Sequence, residues 1–271
     1  MVQNNLAKQS GKTSFPAFIK SDGVMNSLSK TLGNEAKKSR FVSSIISAVS
    51  TNESLQKCDY NSIVNCALLG ESLALTPSPQ LGQFYMVPYG DKAQFQLGYK
   101  GYIQLAIRSG QYKKLNVLSI KQGELICYNP LDEEIEVKLI EDELEREKAA
   151  TIGYYAMFEY TNGFRKTFYW SKEKMEAHAI KYSKGYQAKK GYTFWEKDFD
   201  GMAYKTMLRQ LISKWGVMSV EFQKAFENDM ATIHDDGTPE YVDNKTIQQD
   251  DVVENVVDVN SQINDEPQTL L

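Results

Sequence analysis

Pro77 and Pro79 split this chain into two stretches with different hydrophobic periods. Before them, Phe41, Ile45, Ala48 and Val49, then Ile63, Cys66, Ala67 and Gly70, recur at three- and four-residue spacing, as on one face of a helix. Thr76-Pro-Ser-Pro79 ends that section, because neither proline has an N–H to donate into a helix. Beyond it, Phe84, Met86 and Pro88 alternate, Tyr89-Gly-Asp-Lys92 makes a turn, and Phe95 and Leu97 alternate again, which predicts a hairpin. Further strand signals lie at 115–121, 133–140, 150–160 and 164–170. Asn162-Gly163 joins the last two and predicts a type I′ turn, with positive φ at both residues. Ser171 caps an expected helix carrying Met175, His178 and Ala179, and a longer helix is expected from about Glu196 to Trp215. The fold class is therefore α+β: antiparallel hairpins followed by a long helix, with an N-terminal helical lobe.

Three regions follow from composition. Residues 1–33 are expected to be a polar, loosely ordered basic arm, residues 34–232 a folded core, and residues 233–271 an acidic, disordered tail. Val252, Val253, Val256, Val257 and Val259 suit a short partner-binding segment within that tail. The hydrophobic fraction of 42% over 271 residues is enough for a core. No apolar run approaches the roughly 20 residues that span a bilayer, and the polar start has no apolar centre of a signal peptide. Cys58, Cys66 and Cys127 lack metal-ligand spacing, and His178 and His234 are the only histidines, so reduced thiols in a cytoplasmic protein are expected.

Charge is unevenly placed. The whole chain has 31 Lys+Arg against 35 Asp+Glu, a net −4. From Glu221 onward thirteen acids face Lys224 and Lys245, a local −11, which leaves the first 220 residues at +7. Between Asp91 and Glu124 there is no acid at all, while six lysines and arginines fall inside, interleaved with aromatic residues. Cations beside flat rings suit a polyanion whose bases can stack, which is single-stranded nucleic acid. In the first of two expected basic helices, Ile103, Ala106, Ile107 and Gly110 form a core stripe, and Lys100, Gln104 and Arg108 an adjoining polar one; Lys113 and Lys114 follow. In the second, Lys205 and Arg209 sit at i and i+4, where like charges repel by about 0.2–0.5 kcal/mol until an anion lies between them; Lys214 extends the basic surface. Between the helices, Lys181 to Trp195 holds four cations and five rings without an acid. This predicts a basic loop, with Lys184, Lys189 and Lys190 as contacts and Phe194 and Trp195 as anchors.

Catalytic readings are weaker. Asp132, Glu136 and Lys138 mimic the carboxylate–lysine set of metal-dependent nucleases, but with the carboxylates only four positions apart and inside an acid-rich run. No Gly-x-x-x-x-Gly-Lys-Ser/Thr loop is present for ATP, and two histidines leave no Ser-His-Asp or Cys-His set.

Gly98-Tyr-Lys-Gly-Tyr-Ile-Gln-Leu-Ala-Ile-Arg-Ser-Gly110 resembles the most characteristic stretch of the RecT family of phage single-strand annealing proteins. Tyr85-Met-Val-Pro-Tyr-Gly90 and Trp195-Glu-Lys-Asp-Phe-Asp-Gly-Met-Ala-Tyr-Lys-Thr-Met-Leu-Arg209 extend the resemblance in order and spacing, over about residues 35 to 230. The resemblance implies an ATP-independent recombinase that coats single-stranded DNA as rings or filaments and pairs it with a complement. It implies no bond-breaking catalysis and no required cofactor, Mg²⁺ at most modulating annealing. It also implies a sheet crossed by a long helix, similar in plan to the eukaryotic annealing protein Rad fifty-two. A partner exonuclease, a host single-strand binding protein and a phage or prophage origin in a bacterial cytoplasm belong to the same implication. Carried over by position, Lys100, Tyr102 and Arg108 lie in the first motif, and Lys205 and Arg209 in the second. The alternative is a sequence-nonspecific single-strand binding module without annealing activity.

Overall fold

The computed structural model describes residues 13–240 except Pro79, Tyr192 and 235–238, and not the side chains of Thr232, Pro239 and Glu240. Helices α1 (Phe15–Ile19), α2 (Asp22–Leu32), α3 (Glu35–Ser50) and α4 (Tyr60–Ser72) open the chain. Asn34 and Asp59 cap the last two, their side chains accepting from Lys37 N–H and Ser62 N–H. The polar arm expected over residues 1–33 is corrected over residues 13–32. Phe15, Ile19 and Leu28 are buried, so three apolar residues at helical spacing dock α1 and α2 onto α3. Residues 1–12 lie outside the described residues.

After the prolines come β1 (Phe84–Tyr89) and β2 (Lys92–Leu97), paired in register from Phe84↔Leu97 to Tyr89↔Lys92. Helix α5 (Tyr99–Arg108) leads into β3 (Tyr112–Lys121), β4 (Leu125–Asn129), β5 (Glu134–Val137), α6 (Glu143–Lys148), β6 (Thr151–Tyr160) and β7 (Arg165–Ser171). Helices α7 (Lys172–Tyr182), α8 (Lys184–Gln187), α9 (Phe194–Lys197), α10 (Phe199–Trp215) and α11 (Val220–Glu227) follow, then β8 (Ala231–Ile233) and β9 (Pro239–Glu240). Three antiparallel sheets result, in the orders β1-β2-β8-β9, β3-β6-β7 and β4-β5. The expected α+β class with a helical N-terminal lobe is what the chain adopts, with the strands divided among sheets rather than gathered in one.

Each larger sheet has its own core. Helices α3 and α4 cover the first, where Phe84 and Phe95 stack at 5.1 Å and Gly70 lies so close to Phe84 that a Cβ would approach its ring to 2.2 Å. The second core gathers Tyr154, Ala156 and Phe158 of β6, Met175 and Ala179 of α7, and Trp195. Helix α10 serves both. Its Ala203, Met207 and Leu211 enter the second core and its Leu208 and Ile212 the first. A helix that is apolar on two faces is buried along most of its length, which decides the fate of its charged residues below.

Several expectations are corrected. The hairpin between β6 and β7 forms, but only Gly163 has positive φ (+89°). Gly163 N–H donates to Tyr160 O across a longer loop, so the type I′ turn gives way to one with a single left-handed residue. Strand β4 was not foreseen, since Leu125–Asn129 offers too little alternation. Lys184–Gln187, expected as open loop, forms a turn of helix capped by Ser183. Ala231–Ile233 pairs with β2, so the folded part continues past the expected boundary at 232; residues 241–271, most of the expected tail, lie outside the described residues.

The second core contains a titratable group. His178 lies 5.5 Å from Trp170 and 4.4 Å from Tyr182, ring to ring. Burial, followed by the charges of Lys181 and Arg209, pushes its imidazole down to about 4 from 6.5. Between those values the unfolded chain binds the extra proton, so stability rises with pH there and is lost as pH falls from about 6.5 toward 4. Denaturant unfolding at pH 7 and pH 4 should show the wild type losing up to about 3 kcal/mol more than His178→Phe, which has no imidazole to charge.

Candidate nucleic-acid interface

The start of α5 is set by close backbone contact. A Cβ on Gly98 would lie 2.1 Å from the Gly82 carbonyl oxygen, and one on Gly101 would lie 2.1 Å from that of Gln83. Gly98 N–H donates to Gln83 O at 2.9 Å. Both glycines of the Gly98-Tyr-Lys-Gly101 motif are thus explained by the loop entering β1, which needs bare backbone to press against the helix. That contact brings Tyr85 beside the first turn of α5, with Lys100 on the exposed side.

A group of accessible rings surrounds this turn. Tyr99 meets Tyr204 of α10 edge to face at 5.6 Å, and Tyr85 meets Phe194 of α9 at 5.4 Å. The three tyrosines are half-buried and Phe194 is exposed. The Lys100 ammonium stands 6.0 Å from the centre of the Tyr99 ring. Burial, then the nearby Asp198 carboxylate, raises the Tyr85 phenol above its ordinary value, so this ring is neutral over the working pH range. Glu196 ties the basic loop to the same place: it accepts from Gly191 N–H at 2.8 Å and forms a capping box with Thr193 at the start of α9. Lys184, Lys189 and Lys190 are exposed on that loop, while Trp195 is buried beneath it.

The predicted basic residues separate into three groups. Lys100, with Lys184, Lys189 and Lys190, belongs to the ring platform or to the loop tied to it. Gln104, Arg108, Lys113 and Lys114 lie toward the other end of α5 and the start of β3, all exposed. The Arg108 Nη1 donates to Leu73 O at 2.8 Å, so it also fastens α5 to the end of α4. Lys113 and Lys114 share Glu159 at 2.6 and 3.3 Å. Lys214 is exposed in the last turn of α10, past the platform.

Tyr102, Lys205 and Arg209 form the third group, and they face inward. Tyr102 is 0% and Lys205 5% exposed; Arg209 is half-buried. All three meet the fully buried carboxylate of Asp229, just beyond α11. Its Oδ1 accepts from Leu97 N–H at 2.8 Å and Lys205 Nζ at 3.0 Å; its Oδ2 accepts from the Tyr102 hydroxyl and Arg209 Nη1, both at 3.1 Å. The Arg209 guanidinium also lies 4.1 Å from the centre of the Phe226 ring. Burial pushes the Lys205 ammonium below its ordinary value, and Asp229 pushes it back up. The anion expected between Lys205 and Arg209 is therefore present, but it is a carboxylate of the same chain. As direct DNA contacts, Tyr102 and Lys205 are corrected: in this fold neither side chain reaches the surface.

The cause is helical phase. The buried face of α5 is Gly101, Tyr102, Leu105 and Ala106, while Ile107, expected in the core stripe, is 59% exposed. Sequence reasoning also missed Asp229, counting it with the tail acids. The signal was there: it follows the amphipathic run Phe222, Ala225 and Phe226 and precedes Met230-Ala-Thr-Ile233. Tyr85 and Tyr204 lie within the motifs of the resemblance but carry no basic or catalytic signal of their own, so the sequence gives them no role.

Residues 39–248 match the model of the RecT family, and the chain belongs to that family. It is 44% identical over 241 residues to a Bacillus subtilis (strain 168) protein named "Uncharacterized protein YqaK", covering 89% of this chain and 78% of that one. It is 28% identical over 238 residues to the Escherichia coli (strain K12) "Protein RecT", covering 84% and 85%. Membership supports a general role in single-strand DNA annealing. The platform and the Asp229 cluster both fall within the matched residues. No helix among the described residues is long and apolar enough to cross a membrane.

Removing Asp229 leaves two like charges facing each other with no counter-ion, a change that costs about 3–5 kcal/mol at a buried pair. Asp229→Asn keeps the volume and should lower the unfolding free energy read from urea titration by that order. Lys205→Met should cost less than half as much, because Arg209, Tyr102 and Leu97 N–H still satisfy the carboxylate.

Proposed function

We propose that this protein binds single-stranded DNA across the Tyr85, Tyr99, Tyr204 and Phe194 platform and presents it to a complementary strand. Lys100 and the loop lysines 184, 189 and 190 neutralise phosphates, while bases stack on the rings and keep their pairing edges free. Neutralisation also lowers the repulsion that two strands feel on approach. Annealing in this reading needs neither ATP nor bond breaking, and adjoining copies extend the platform along the strand. A 5′–3′ or 3′–5′ exonuclease that exposes the strand and a host single-strand binding protein that hands it over complete the proposal. The observation that carries it is the meeting of the Tyr85, Tyr99, Tyr204 and Phe194 rings with Lys100 and the lysine-bearing loop.

The test mixes labelled complementary oligonucleotides with the protein and times duplex formation. Acceleration supports annealing; slower pairing than in bare solution means a binding and protecting module. Tyr99→Ala and Tyr204→Ala should each weaken oligonucleotide binding by roughly tenfold, since one stacked base contributes about 1–3 kcal/mol. Replacing Lys184, Lys189 and Lys190 together by Ala should flatten the plot of log affinity against log salt by about 2, at about 0.7 per phosphate contact for single strands.

A further inference from the structure

Two surfaces lie outside the platform, and they complement each other. The first is the β4–β5 hairpin and the chain leading from it. Of the thirteen large apolar side chains exposed among the described residues, five lie within residues 126–144: Ile126, Leu131, Val137, Leu139 and Leu144. Leu131, at the hairpin tip, is 91% exposed. The same region is strongly acidic: residues 132–147 hold nine acids against Lys138 and Arg146, a local −7. An apolar tip on an acidic stem is unusual for a solvated hairpin, and a run of exposed apolar residues so dense in sequence suits an interaction site.

The hairpin is also held in place. Tyr128 packs on Tyr169 at 5.2 Å, Glu133 pairs with Lys166, and the buried Glu124 carboxylate at its base accepts from Lys121 N–H, Ile140 N–H and Arg146. So fastened over β7, the hairpin presents its tip outward.

The second surface is a groove of about 490 Å³ between α5 and strands β3 and β6, lined by Ile103, Ile107, Tyr112, Lys113, Lys114 and Met157 among others. It takes one wall from the acid-free window. Ile107 is exposed, as are the Lys113 and Lys114 side chains at 57% and 62%, and Glu159 balances only one of those two charges. Its floor is apolar and its rim positive, the converse of the hairpin. Among the described residues β3 is an edge strand, in a sheet ordered β3-β6-β7, and an edge strand is a natural place for a second chain.

We infer that the acidic, leucine-tipped β4–β5 hairpin of one copy docks in the Ile107–Lys113–Lys114 groove of the next. This rests on the oligomeric annealing reading above and assigns it a contact. The two surfaces differ, so the contact is head-to-tail: each copy keeps a free hairpin at one end and a free groove at the other, and the array grows as a ring or a filament. Lys113 and Lys114 are then holders of protein rather than of phosphate.

Mass photometry of the full chain, with and without a single-stranded oligonucleotide, tests this. Leu131→Asp lies on a fully solvated tip, and circular dichroism confirms that it and the double variant Lys113→Glu, Lys114→Glu are folded. Each variant alone should fall from the wild-type assembly to monomer, since one face is lost. Mixed together they should form dimers and stop there, the intact hairpin of one variant filling the intact groove of the other. Full-size assemblies from either variant alone, or a mixture that stays monomeric, would overturn the assignment. So would a double variant that assembles as wild type yet binds oligonucleotide tenfold more weakly, which would make the groove a DNA site. A wild type that assembles but does not accelerate annealing refutes the annealing reading instead, and leaves the contact standing.

Discussion

The Asp229 carboxylate is the point on which the arrangement of the interface depends. Four donors from three elements meet on its two oxygens: Leu97 at the end of β2, Tyr102 on α5, and Lys205 and Arg209 on α10. Two of these elements, α5 and α10, carry platform rings, and β2 pairs with β1, which carries Tyr85. Tyr99 precedes Tyr102 by one helical turn, and Tyr204 adjoins Lys205, so fixing the inner residues fixes the spacing of the outer rings. A buried carboxylate with fewer donors would be costly, and two buried cations without it costlier still. The cluster therefore contributes position more than net stability. It also explains why a motif can be basic without its cations touching DNA.

The segment that supplies Asp229 arrives late in the chain. Helix α11 packs Phe222 and Ala225 into the first core, Met230 N–H donates to Phe95 O, and β8 pairs with β2. Gln94 reaches the Met230 carbonyl from the other side. Residues 220–233 thus close over α5 and α10 and complete the first sheet, which makes them part of the binding architecture even though none of them lies on the platform.

Much of this was legible in the sequence and some was not, for physical reasons. The helix–strand division at Pro77 and Pro79, the first hairpin, the cap at Ser171 and the place, though not the type, of the turn at Asn162-Gly163 depend on local chemistry, and local chemistry is what a sequence displays. The placement of α1 and α2 turned on three buried residues in a polar stretch, too sparse a pattern to stand out. Charge misled where burial was decided by tertiary context. On α10 the apolar residues cover two faces because the helix divides two cores, so a lysine between them is enclosed; taken as an isolated helix, the same pattern leaves Lys205 in water. On α5 a shift of one position in phase exchanges Tyr102 with Ile107. No single helix shows which phase its neighbours will accept.

The glycines of the first motif show the same division between pattern and cause. A Gly-Tyr-Lys-Gly run beside cations invites a reading as a phosphate cradle, yet Gly98 and Gly101 are the points where the backbone of residues 82–83 presses on the helix, leaving no room for a Cβ. Their effect on the interface is indirect and specific: they set Tyr85 and Lys100 side by side. A side chain at either position must push the β1 entry away, separating Tyr85 from Tyr99 while leaving every cation in place. In this fold the ordering of the rings and the supply of positive charge are thus controlled by different residues. In the binding reading proposed above the strand draws on both, so a loss of stacking and a loss of phosphate neutralisation are separable by their salt dependence, the second flattening with salt and the first not.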